Sequence, residues 1–166
     1  PAVERLKLSN QFRELTLSPD GKKVAFVAHG DVFAASSKEG GEATRISHTA
    51  ANESQPAWLP NSRSLVYVST RDGVAHIYQY DVATRNETQL TDGALDDGSP
   101  VFSPDGKSMA FIRNGQELRV LDLSTKKDRL LKKAYLGRPP FAASGSVVWS
   151  PDGKWIAFAS FGAKTF

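Results

Sequence analysis

The chain has 166 residues, of which 40% are hydrophobic, 10% aromatic and 23% charged, the balance of a packed domain and not of a disordered tail. Its 21 basic and 18 acidic residues leave a net charge of only +3; this gives no case for a nucleic-acid partner, and the absence of any run of about 18 apolar residues argues against membrane insertion. With no cysteine and one methionine, disulfides, thiolate metal ligands, cysteine nucleophiles and Met-rich adaptable surfaces are excluded, while the redox compartment stays open.

Pro1 to Leu8 contains neither an initiator Met nor a basic-then-apolar leader, so the expectation is a piece of a longer chain. Glu4 to Ser9 reads as the outermost strand of a preceding unit, spanning residues 3–9. A repeat then begins. Ser18-Pro19-Asp20-Gly21, Ser103-Pro104-Asp105-Gly106 and Ser150-Pro151-Asp152-Gly153 are the same tetrapeptide, and Leu59-Pro60-Asn61-Ser62 fills the corresponding place in another unit. Their prolines fall 41, 44 and 47 residues apart, a period that decides the architecture. In each turn Pro presets the first corner, Asp or Asn tolerates the second, and Gly accepts the positive φ that closes a hairpin; Asn61-Ser62 meets these demands less well.

Each turn leads into an apolar strand: Val24-Ala25-Phe26-Val27, Leu65-Val66-Tyr67-Val68, Met109-Ala110-Phe111-Ile112 and Ile156-Ala157-Phe158-Ala159. Phe26, Tyr67, Phe111 and Phe158 are expected at equivalent buried positions. The second unit shows four strands, at Gln55 to Leu59, Ser64 to Ser69, His76 to Tyr80 and Glu87 to Thr91, and no helix is needed. The second strand of each unit is apolar on both alternating faces, as in a sheet covered on both sides. The predicted fold is therefore all-β, a β-propeller of four-stranded blades. Its units span about 10–47, 53–91, 97–131 and 144–166, giving three full blades and part of a fourth, a fragment of a larger ring.

Little in the chain points to catalysis. Gly145-Ser146 lacks the Gly-x-Ser-x-Gly elbow and precedes a repeat strand, so Ser146 reads as a loop serine. His29, His48 and His76 have no metal-ligand spacing, and His76 simply begins a strand. Asp92, Asp96 and Asp97 lack the alternating donors of a helix-loop-helix calcium site and read as a solvated loop. No catalytic residue, cofactor or metal is expected. The sequons Asn52-Glu53-Ser54 and Asn86-Glu87-Thr88 are too short to decide anything.

Lys126, Lys127, Arg129, Lys132, Lys133 and Arg138 surround Asp128. With only Tyr135 and Phe141 nearby, this segment reads as a turn and an outermost strand whose lysines discourage edge pairing. Trp58, Phe102 and Trp149 recur one residue before each turn and are expected to pack blade against blade.

In a propeller the loops leading into each innermost strand share a face with the loops between second and third strands. Here these are residues 47–54, 92–99 and 136–146, and 29–31, 70–75 and 113–116. They vary between units over a constant scaffold, as recognition requires. Their charged members Glu53, Arg71, Asp72, Asp97 and Arg113 are the candidate contact residues, facing a peptide or protein ligand at the channel mouth.

The repeat resembles the TolB-type propeller unit: an aromatic, Ser-Pro-Asp-Gly-Lys, an apolar strand, an apolar-aromatic strand ending in Asp, and a closing Arg-x-Leu-Thr strand. Trp149 to Lys154 matches the opening, and Ile77 to Asp81 with Gln89-Leu90-Thr91 matches the remainder. Val120-Leu121-Asp122 with Arg129-Leu130-Leu131 repeats it. The units also resemble the N-terminal propeller of tricorn-like serine peptidases, which implies a non-catalytic domain that guides peptides to a catalytic domain absent from this chain. Resemblance to TolB implies instead a protein-interaction module of the bacterial envelope, periplasmic or exported, although a cytoplasmic setting stays open. A prolyl-oligopeptidase-like propeller would share the gating logic. The apolar ends of a partial ring would be covered by a homodimer or by closure of a small ring.

Overall fold

A computed structural model describes residues 12–38, 41–136 and 147–160. All regular structure among them is β. Three antiparallel sheets of four strands follow in chain order: β1 (Phe12–Leu17), β2 (Lys23–Ala28), β3 (Asp31–Ser36) and β4 (Thr44–Arg45); β5 (Glu53–Trp58), β6 (Ser64–Ser69), β7 (His76–Asp81) and β8 (Glu87–Gln89); β9 (Asp97–Phe102), β10 (Ser108–Arg113), β11 (Glu117–Asp122) and β12 (Lys127–Lys133). The hairpin β13 (Val147–Trp149) and β14 (Ile156–Phe158) begins the next. These are propeller blades, with no helix among the described residues. The outermost strand expected at Glu4 to Ser9 lies outside them.

The strand period of two assigns each second strand's side chains to two neighbours. Ala25 and Val27 of β2 pack toward the second blade, where they meet Trp58, Leu65 and Tyr67. Val66 and Val68, on the other face of β6, meet Met109 and Phe111 of the third blade. Ala110 and Ile112 in turn meet Val147, with Ile156 and Phe158 packed alongside. From the second unit on, the large residue thus points back to the preceding blade and the small or branched ones point forward. Tyr67 and Phe111 are fully buried. Phe26 is buried against Phe33, stacked at 5.7 Å, and against the edge of Phe12 at 5.0 Å. Phe158 is only half-buried.

The turns close alike. In the three Ser-Pro-Asp-Gly copies the Ser hydroxyl donates to Asp Oδ1 at 2.6, 2.7 and 2.5 Å, and the same oxygen accepts the backbone N–H of Lys22, Lys107 or Lys154. Gly21, Gly106 and Gly153 take φ of 68°, 69° and 70°, which a Cβ disfavours. In the second unit Asn61 Oδ1 accepts from Arg63 N–H, and Ser62 occupies the left-handed corner at φ 56°. Ser62 is kept there by a second task, since its Oγ accepts the Asp20 N–H of the preceding turn at 3.0 Å.

Strand boundaries of the second unit shift from those expected: β5 ends at Trp58, β7 at Asp81 and β8 at Gln89, in place of Leu59, Tyr80 and Thr91. The innermost strands begin at Glu53 and Asp97, earlier than Gln55 in the second unit, because a bulge interrupts the period-two pattern there. Glu14, Gln55 and Ser99 occupy the same place in three blades, each with positive φ (54°, 54° and 55°), and the strand register shifts around them. The fourth strand of the first blade shrinks to Thr44–Arg45.

Candidate functional site

Pairing registers bring three repeat positions to one edge of each blade. In the second blade Glu53 opposes Ser69, which opposes His76. In the third, Asp97 opposes Arg113, which opposes Glu117. These residues border the loops expected to form the recognition face, and both acids stand seven residues before their turn proline.

Asp97 and Arg113, singled out separately in the sequence, form one unit. The Arg113 guanidinium donates from Nε to Asp97 Oδ1 at 2.7 Å and from a terminal nitrogen to Oδ2 at 2.9 Å, a bidentate geometry that suits the carboxylate. The Asp97 side chain is 0% exposed, so the expectation of a solvated acidic loop fails for it: strand β9 begins there and carries it inward. Asp92 and Asp96 are exposed. The Asp97 carboxylate and Asp128 raise the pKa of Arg113 against the opposing effect of burial. His76 is buried at the start of β7, with Nδ1 3.8 Å from Asp97 Oδ2 and without a hydrogen bond.

Glu53 occupies the position of Asp97 but faces Ser69 where Asp97 faces Arg113. Its Oε1 accepts the hydroxyls of Thr49 at 2.5 Å and Ser69 at 3.0 Å. Arg71 donates from Nε to the Ser69 hydroxyl at 3.1 Å and not to the Glu53 carboxylate. Its other nitrogens go to Glu87 and to the Tyr67 hydroxyl, and its guanidinium lies 3.9 Å from the Tyr78 ring centre. Burial opposes the charge on Arg71, but Glu87 and Tyr67 outweigh it and hold the pKa above its ordinary value. Asp72 accepts the Tyr78 hydroxyl at 2.8 Å; burial and then this carboxylate push that phenol up to about 12. Of the five candidates, Arg71 and Asp72 are thus tied to the second blade's aromatic pair and Asp97 and Arg113 to each other. Glu53 has no ion-pair partner among the described residues.

Sequence reasoning passed over Ser69, Thr49, Gln55 and Glu14. Ser69 was legible by aligning repeats, since it and Arg113 both lie nine residues after the turn proline. The bulge residues carry no such signal.

The inter-blade aromatics and the basic strand lie where the repeat places them. Trp58, Phe102 and Trp149 pack between blades, and the Trp149 indole N–H donates to the Val101 carbonyl at 3.1 Å. The basic segment forms the exposed outermost strand β12, while Arg138 and Ser146 lie outside the described residues. His29 and His48 are exposed. Among the described residues no group of three or more His, Cys, Asp or Glu could hold a metal ion.

Blades packed face to face, with loops that vary between units, define a β-propeller domain. The model of the TolB beta propeller domain matches residues 14–160, and the chain belongs to that family. A TolB homolog of Chlorobium chlorochromatii is 38% identical over 99 residues, covering 58% of this chain and 22% of that protein. The uncharacterized peptidase YuxL of Bacillus subtilis is 29% identical over 137 residues, with 58% and 21% covered. The chain therefore spans about a fifth of these relatives' length. Among solved structures, TolB from Acinetobacter baumannii superposes with a TM-score of 0.73 at 20% identity, over 93% of this chain and 38% of that one. The tricorn protease superposes at 0.63 with 13% identity, over 93% of this chain and 15% of its own. At such identities these two show the fold alone.

Proposed function

We propose that the chain is a non-catalytic recognition or gating module that takes a peptide or protein segment on the rim formed by residues 29–31, 47–52, 70–75, 92–96 and 113–116. The carrying observation is the contrast between two blades of one scaffold. At one repeat position a buried acid is neutralised by Arg113, and at its counterpart it is not. Constant blades with divergent charge at the rim are what selectivity needs. The Tol-Pal system protein TolB of Francisella tularensis, 33% identical over 76 residues, supports an envelope setting and an exported or periplasmic location. The likeness to YuxL supports the second reading, a propeller that guides peptides toward a catalytic domain elsewhere in the parent protein.

Screening the purified chain against an unbiased peptide library tests the proposal, with binding mapped by amide NMR shifts. Peptides that perturb the rim loops support it. A library without binders, or with binders only on the outer strands, sinks it. Cell fractionation reads the location, and the reading frame beyond Phe166 separates the two settings: a peptidase domain there favours guidance. A peptide-cleavage assay on the isolated chain should show no turnover.

A further inference from the structure

We propose that Glu53 anchors a primary ammonium group at the mouth between the first and second blades. This inference rests on the reading that the rim takes a peptide and names the part of that peptide recognised. Glu53 is 2% exposed, and its Oε2 has no hydrogen-bond partner among the described residues. A buried carboxylate oxygen without a partner is costly and rare in native proteins. The residue lines a cleft of about 610 Å³ together with Phe12, Glu14, His29, Gly30 and Asn52. Arg13 and Glu14 on the exposed wall offset each other, so Glu53 decides the sign of the inner end.

The third blade supplies an internal control. There the acid at the same repeat position receives two N–H donors from Arg113, and its charge is answered from within the chain. In the second blade Ser69 stands where Arg113 would, and Arg71, two residues further on, is engaged by Glu87. Among the described residues no cation pairs with Glu53, which leaves its charge for a ligand to answer.

The free valence selects the ligand. Oε1 already accepts two hydroxyls, so a guanidinium fork, which spans both oxygens, has only one to use. A divalent ion is usually held by several charged or imidazole ligands, and no group of three or more His, Cys, Asp or Glu that could hold one is found among the described residues. An ammonium is a compact point charge that is served by one carboxylate oxygen, a backbone carbonyl and water. Oε2 is shielded from bulk water, so access needs a small movement of the cleft wall, which the exposed Asn52 side chain can supply.

A lysine side chain and a peptide N-terminus share this chemistry, and three probes tell them apart: acetyl-Gly-Lys-Gly-amide, Gly-Gly-Gly-amide and acetyl-Gly-Gly-Gly-amide. Amide shifts at Gly30, Glu53 and Ser54 report on the cleft. One or both ammonium probes should bind there and the third should not. Glu53→Gln should weaken binding by about tenfold or more, the size expected of one charge-assisted hydrogen bond, and Glu53→Asp should retain most of it. A thermal melt confirms that each variant folds. If neither ammonium probe shifts these amides, or if Glu53→Gln binds as the unaltered chain does, the proposal is wrong. Library peptides that bind the rim equally well in Glu53→Gln would sink this inference while leaving the recognition function standing; no rim binding at all would sink both.

Discussion

The Gln55 side-chain carbonyl accepts the Ser99 main-chain N–H at 2.5 Å, joining the bulges of the second and third blades. The Gln55 N–H in turn donates to the Glu14 carboxylate of the first blade. In the second and third blades the bulge leaves one N–H unpaired by its own sheet, and the side chain at the same position one blade earlier accepts it. The innermost strands are thereby linked laterally where the backbone takes positive φ.

Gln55→Ala removes the acceptor for Ser99 and keeps the strained φ. A part-buried N–H left unpaired costs about 1–2 kcal/mol, and the loss should appear as a lower urea midpoint with an unchanged slope. An unchanged midpoint would show that the linkage contributes nothing.

The two acids at the rim should respond in opposite ways. Arg113→Ala strands the Asp97 carboxylate without a counter-charge and should cost about 3 kcal/mol, read by chemical denaturation. Glu53→Gln removes a buried charge that has no ion-pair partner among the described residues and should leave stability unchanged or slightly raised. A large loss in Glu53→Gln would mark that residue as structural.

Asp122 caps the turn between β11 and β12. The Ser124 hydroxyl, then the Thr125 N–H, hold its carboxyl at about 2, below the ordinary 3.8. Asp20, Asp105 and Asp152 are lowered in the same way, first by Ser18, Ser103 and Ser150. A depressed folded pKa contributes stability that is complete above the unfolded value and lost as pH falls through the folded one. The melting temperature should therefore decline between about pH 4 and pH 2, with the Asp122 carboxyl carbon titrating at the lower end. An Asp122 midpoint near 3.8 would contradict the turn geometry.

Both terminal sheets show apolar faces among the described residues. Leu15 is 68% and Trp155 74% exposed, with Phe12, Leu17 and Val148 beside them. We propose that a second copy of the chain covers these faces, because the forward face of one blade is built to receive the backward face of the next, and a heterologous contact of that kind can close a ring. Light scattering should report a dimer, and Leu15→Lys together with Trp155→Lys should yield monomers. A soluble monomer of the unaltered chain with low dye binding would refute this.

The turns and the second strands were legible in the sequence because their determinants are local. Pro19-Asp20-Gly21 closes its corner from within, and Val24 to Val27 is apolar on both faces whatever surrounds it. Repetition of that segment revealed the blades and, through the two-sided pattern, their stacking. The fate of the rim charges was decided only in the tertiary structure. Asp97 lies 16 residues from Arg113, and Gln55 lies 44 residues from Ser99; both pairings depend on strand register and blade stacking. Glu53 and Asp97 look alike as acids before a strand, yet one is neutralised and the other is not. The difference lies in what β6 and β10 place opposite them, Ser69 in one blade and Arg113 in the other.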